Sequence, residues 1–148
     1  LLFLLLFLVS CSNEGKTGET AEIGNFPPPV GEYKETAIVE EGDVISAVVS
    51  KVDENTTKIK GKANGTTIKS GLPTAALDFD FNISKWKKTK TTLEAVAENI
   101  TAMAGTRRNK DAVIIYYSDT QTLKITFTFD DPNPGWAAKG EFNGIKQP

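Results

Sequence analysis

The sequence predicts a mainly β fold of the α+β class: an antiparallel meander sheet or small barrel of about seven or eight strands, with one packed helix near residues 92–104. Several short segments alternate apolar and polar residues, as half-buried strands do. Short turn sequences join consecutive segments, which favours antiparallel pairing of neighbours. One segment instead carries apolar residues at helical spacing.

The first two predicted strands are Gly31–Glu40 and Val44–Val52, separated by the turn sequence Glu41-Gly42-Asp43. The second strand is dense in β-branched residues, which favour strands. Val44, Val48 and Val52 would also fit a helical stripe, so this segment leaves a helix open as an alternative.

A hairpin is predicted over Thr57–Gly71, with its turn at Asn64-Gly65. Asn-Gly is the strongest two-residue hairpin signature, because both central residues of a type I′ turn need positive φ. Alternation along the two arms then places four lysines on one face: Lys58, Lys60, Lys62 and Lys69.

The next strand, Leu77–Ile83, alternates along its whole length. Its inward residues are predicted to be Leu77, Phe79, Phe81 and Ile83.

The predicted helix follows a capping box formed by Thr91 and Glu94. Its apolar residues fall at helical spacing, at Leu93, Val96, Ala97, Ile100 and Ala104. Gly105 follows this segment, and glycine is common directly after the last turn of a helix.

Three further strands complete the domain. Residues 112–118 are apolar on both faces and predict a central strand. Leu123–Phe129 alternates, and a weaker strand follows over 136–145.

The opening run Leu1–Val9 is too short to span a bilayer and is typical of the apolar part of a secretory signal. It ends in Leu8-Val9-Ser10-Cys11, which resembles the lipobox of bacterial lipoproteins. The resemblance implies cleavage before Cys11, acylation of Cys11 with three chains, and anchoring to a membrane. Ser12 stands where some of these lipoproteins carry the Asp that retains them at the inner membrane, so the resemblance favours the outer membrane.

We therefore expect residues 1–10 to be an N-terminally incomplete signal peptide, 11–30 a lipidated flexible tether, and 31–148 one β-rich domain. The small, polar and proline-containing composition of 11–30 is typical of a tether. Cys11 is the only cysteine, and lipidation would account for it.

The composition excludes several kinds of chemistry. The chain has no histidine, and with Cys11 acylated it has no free thiol, which removes Ser-His-Asp and Cys-His catalysis and most zinc or copper sites. We therefore expect no enzymatic activity, no metal and no cofactor. Nucleic acid is an unsuitable partner for an envelope protein.

Charge is distributed in blocks. Residues 11–54 hold ten acidic and three basic side chains, whereas residues 55–110 hold eleven basic and four acidic ones. Such asymmetry can mark a binding face. The candidate anion-binding face consists of Lys58, Lys60, Lys62 and Lys69 with Arg107, for anionic lipid or polysaccharide. The alternative is a solvated face neutralised by neighbouring carboxylates.

Two tryptophans, Trp86 and Trp136, are candidates for stacking on a sugar ring, with burial in the core as the alternative.

The segment Val30–Thr36 resembles the Gly-x-Trp opening of lipocalin-like barrels, with Tyr33 in the place of the Trp. The resemblance implies a carrier with a small apolar ligand inside a barrel, in a cavity lined by Phe79, Phe81, Ile114, Tyr116 and Phe127.

Two functional hypotheses follow. The favoured one is a membrane-anchored lipoprotein with a non-catalytic domain that binds an envelope protein, a glycan or an anionic component. The alternative is the lipocalin-like carrier. A filled core favours the first, and an internal cavity favours the second.

The anchor prediction can be tested on Cys11. Cys11→Ser should abolish acyl labelling and release the protein into the soluble fraction, because the thioether is the attachment point for the lipid. Metabolic labelling with a fatty acid and membrane fractionation measure both effects. Retention of the variant in membranes, with no lipid label on the original chain, would show that the lipobox interpretation is wrong.

Overall fold

The computed structural model describes residues 20–37, 42, 44–103, 108–129 and 133–148 of the 148-residue chain. Within these ranges the fold is mainly β, as the sequence predicts, and the strands form one antiparallel sheet that closes into a small barrel. The sheet has eleven strands, and its order is β1-β6-β7-β9-β10-β11-β2-β3-β4-β5-β8. The strands are β1 (Glu22–Gly24), β2 (Gly31–Glu35), β3 (Ser46–Lys51), β4 (Thr57–Thr67), β5 (Pro73–Ile83), β6 (Trp86–Lys88), β7 (Thr92–Ala95), β8 (Ile100–Ala102), β9 (Asn109–Tyr117), β10 (Thr122–Phe129) and β11 (Ala138–Lys146).

Strand β10 occupies one edge of β11, and two other strands share its second edge. Gly144–Lys146 pair with β2, whereas Ala138–Glu141 pair with the end of β4. The buried side chain of Asn109 adds a second link, because its Nδ2 donates to Asp78 O at 3.1 Å and its Oδ1 accepts from Asp80 N at 3.4 Å. These bonds connect the start of β9 to β5.

Aromatic side chains fill the interior of the barrel. The ring centroids of Phe79 and Phe81 are 5.6 Å apart, and each lies 5.8 Å from that of Phe127. Phe142 and Tyr116 are buried in the same core. Such distances are those of rings in direct contact, so these side chains leave no ligand-sized space between them.

The predicted helix over 92–104 is not present in the described residues. Its span contains β7, a short 3₁₀ turn at Ala97–Asn99 and β8. β7 lies between β6 and β9 and pairs with both, so its backbone groups are satisfied by the sheet instead of by a helix. Residue 104, where the prediction ends, lies outside the described ranges.

The predicted turn at Asn64-Gly65 is also wrong. Both residues lie inside β4, and the chain turns at Ile68–Ser70, followed by Gly71 with φ of 67°. Gly65 is required for a different reason. A Cβ at this position would lie 2.9 Å from Leu77 Cγ and 3.0 Å from Ala75 O, because β5 crosses closely over β4 at an irregularity in their register.

The folded domain begins earlier than the expected boundary at residue 31. β1 pairs with β6, and Phe26 packs against the core. Asn25 Nδ2 donates to Glu54 O at 2.6 Å, and Tyr33 Oη donates to Pro29 O at 2.8 Å. The later part of the expected tether therefore belongs to the domain.

Replacement of Gly65 tests the close approach of β5. We expect Gly65→Val to lower the free energy of unfolding by about 2 kcal/mol or more, because the added methyl groups must displace β5. Denaturant titration measures the change. Thr66→Val, a β-branched substitution at the adjacent half-buried position, should change stability far less. Equal effects of the two substitutions would contradict the packing assigned to Gly65.

Alkaline pH tests the burial of Tyr33. Burial, with a smaller contribution from Tyr116, raises the pKa of the Tyr33 hydroxyl above its usual value near 10. The folded chain therefore keeps a proton that the unfolded chain loses, so stability is constant below about pH 10 and falls as pH rises further, by up to about 1.4 kcal/mol per pH unit.

We expect Tyr33→Phe to reduce this alkaline slope in denaturant titrations carried out from neutral pH to about pH 11.5. Measurement of the variant at neutral pH separates the slope from loss of the hydrogen bond to Pro29. An unchanged slope in the variant would show that Tyr33 does not resist ionisation in the folded state.

Candidate functional site

The most distinctive surface of the described chain is the barrel end where β4 finishes and β5 begins, which we call the barrel mouth. It contains a cavity of about 470 Å³ above the filled core. The apolar lining residues are Ala75, Ala76, Leu77, Phe129, Trp136 and Ala138, and Thr67 and Thr74 complete the wall. Barrel mouths are common places for ligand sites.

Trp136 is held at the rim by local hydrogen bonds. The backbone N–H of Trp136 donates to Asn133 O at 2.9 Å. Asn133 Oδ1 accepts from Gly135 N at 3.1 Å and caps a short 3₁₀ turn over Pro134–Trp136. Ile68 N donates to Ala137 O at 2.9 Å and joins this turn to the β4–β5 turn. The Trp136 side chain is nevertheless exposed, at 69%.

The exposed apolar surface extends beyond Trp136. Ile68 and Leu72, on the β4–β5 turn, are 58% and 62% exposed. Large apolar side chains exposed together, next to a cavity, are typical of an interaction site rather than of scattered surface residues.

The polar groups of the cavity are already engaged. Thr67 Oγ1 bonds with Ser70 Oγ and accepts from Leu72 N at 3.2 Å, and Thr74 Oγ1 donates to Ala75 O at 2.9 Å. Among the described residues that line the cavity, none carries a charge. The mouth therefore offers mainly apolar contact to a ligand.

The two candidate stacking residues are placed very differently. Trp86 is fully buried in the core and cannot stack on a sugar in solution, whereas Trp136 is available to do so. The sequence around each tryptophan was compatible with either burial or exposure of its side chain.

The predicted lysine face is only partly assembled. Lys58, Lys60 and Lys62 share the outer side of β4, but they lie beside carboxylates of β5: Lys58 Nζ is 3.5 Å from Asp80 Oδ1, and Lys62 Nζ is 3.2 Å from Asp78 Oδ1. Lys69 lies on the β4–β5 turn instead of beside Lys60, because the turn is not at Asn64-Gly65. Arg107 lies outside the described residues.

A second cavity, of about 410 Å³, borders β2, β10 and β11 and includes Glu35. The Glu35 carboxylate accepts hydrogen bonds from the backbone N–H groups of Thr36, Ala37 and Asn143. Its oxygens therefore hold the barrel wall together and are poorly available to a ligand.

In the described ranges, no cluster of three or more acidic, His or Cys side chains is arranged to bind a metal ion. The same ranges hold no helix with the length and apolar character needed to cross a bilayer. Cys11 lies outside the described residues, and the structure therefore does not test its lipidation.

The sequence pattern did not reveal the barrel mouth as a site. Its walls come from four strands and one 3₁₀ turn, and only Trp136 among these residues is a site candidate in the sequence. Ala75, Ala76 and Ala138 do not indicate a site in the sequence, although their small side chains leave the cavity open.

Comparison of the chain with models of protein families, with curated proteins and with solved structures finds no match.

Proposed function

We propose that this chain is a lipid-anchored, non-catalytic binding protein of the bacterial envelope, and that the barrel mouth binds an apolar segment of a partner protein. The lipobox-like sequence supports the anchor. The observation that carries the binding proposal is Trp136, the only exposed aromatic side chain among the described residues, at the rim of an apolar cavity. Tryptophan is strongly enriched among residues that dominate protein interfaces.

The chemistry of the mouth favours a protein over a sugar or an anion. A sugar ring would stack on Trp136, but its hydroxyls would meet Thr67 and Thr74 groups that already have partners. An anion would meet no charged side chain among the described lining residues. Apolar side chains gain about 25 cal/mol per Å² of surface that they bury, and they leave no polar group unpaired.

The carrier hypothesis receives less support. The five side chains expected to line an internal cavity, Phe79, Phe81, Ile114, Tyr116 and Phe127, instead pack together in the core. None of them lines the barrel-mouth cavity or the Glu35 cavity. A ligand would have to displace this packing, which costs several kcal/mol in typical cores.

Selection of short peptides from a random displayed library tests the proposal. We expect peptides with clustered apolar or aromatic residues to be enriched on the full mature chain in mild detergent. Trp136→Ala should weaken their binding about tenfold or more, as at an interface hot spot. Titration calorimetry measures both affinities.

The matched control is Val48→Ala, which removes an apolar side chain that is 49% exposed on β3, away from the mouth. It should leave peptide affinity unchanged. An array of oligosaccharides is tested in parallel. Peptide binding that survives Trp136→Ala would overturn the assignment of the mouth, and glycan binding that depends on Trp136 would replace the protein partner with a sugar.

A further inference from the structure

We infer that the barrel mouth faces away from the membrane that anchors Cys11, so that its partner is a protein beyond that membrane surface rather than one of the membrane's own lipids. The inference rests on the proposed function, because it requires the lipid anchor. It is carried by the position of the N-terminal strand relative to the mouth.

The mouth and β1 lie at opposite ends of the barrel. Strand β4 runs the length of the wall, with Thr67 at the mouth and Thr57 at the other end. The turn that precedes Thr57 contains Glu54, and its carbonyl accepts from Asn25 Nδ2 at 2.6 Å. Asn25 directly follows β1, so the chain enters the domain at the end opposite the mouth.

Core contacts fix this segment to that end. Phe26 packs on the core, and its ring lies under Lys88 Nζ at 5.0 Å from the ring centroid. Pro29 O accepts from the buried Tyr33, in β2. Together with the β1–β6 pairing, these contacts prevent the entry point from moving toward the mouth.

Chain length then sets the orientation. Eleven residues of β4 span about 36 Å along the strand, or about 25–30 Å along the barrel axis at ordinary strand tilt. The eleven peptide links from Cys11 to Glu22 reach at most about 40 Å when fully extended, and a random coil with eleven links averages about 18 Å. The mouth could approach the membrane only with the tether stretched well beyond this average length.

This placement disfavours the simplest apolar occupant, an acyl chain of the anchoring membrane. The lining remains apolar and, in its described residues, uncharged, so the mouth keeps its preference for apolar side chains. An apolar segment of a partner protein on the far side of the domain satisfies both the orientation of the mouth and its preference for apolar side chains.

Energy transfer to labelled lipid headgroups tests the orientation with the full lipidated chain in vesicles. Lys69→Cys places a fluorescent label at the mouth, and Val52→Cys places the same label at the opposite end, on the exposed turn between β3 and β4. Acylation protects Cys11 from the thiol-reactive label. We expect at least twofold greater transfer from position 52 than from position 69, and a peptide affinity on vesicles within twofold of that in detergent.

Three outcomes would overturn the inference. Equal or greater transfer from position 69, in protein that floats with the vesicles, would contradict the orientation but not the anchor. Loss of peptide binding on vesicles would show that the membrane covers the mouth. Labelling of Cys11 in the original chain, with no flotation, would remove the anchor and therefore the proposed function as well.

Discussion

The barrel depends on the seam where β4 meets β11, because this pairing joins β4 and β5 directly to β10 and β9 in one wall. Two glycines face each other across the seam, Gly65 and Gly140. At Gly65 the missing side chain allows β5 to cross closely, and at Gly140 it makes room for the Phe127 ring, which lies directly over the backbone. A larger residue at either position would push β5 or Phe127 away from the seam. Continuity of the wall and filling of the interior therefore depend on the same two small residues.

A filled interior also decides where binding can occur. Phe79, Phe81 and Phe127 occupy the centre of the barrel, so the cavities described above lie outside this packed centre. At the mouth, three alanines replace the large aromatic residues, and Trp136 stands beside them with most of its surface exposed. Burial of this large apolar side chain by a partner would lower the free energy. The same core thus stabilises the domain and leaves the proposed binding site at one end.

The charge blocks seen in the sequence have a local explanation on the barrel. The lysines of β4 belong to the basic block, yet the neighbouring strand β5 places Asp78 and Asp80 beside them. Exposed pairs of this kind contribute little stability, typically below about 1 kcal/mol. Their main effect is to keep the outer face of the sheet close to neutral. Neutralisation comes from the next strand rather than from the acidic block near the N-terminus.

The sequence by itself determined the β class, the course of strands such as β5 and β10, and which of their residues point inward, because alternation is a local property of a strand that is buried on one side. Tertiary structure decided the rest. Residues 92–95 fit a helix locally, but they pair with strands on both sides. Asn64-Gly65 has the local signature of a turn, but both residues lie inside β4, where Gly65 allows the close approach of β5. The two tryptophans look alike in the sequence, and only packing buries Trp86 and exposes Trp136. In each case the deciding contacts join different strands, and the pattern within a single segment does not encode them.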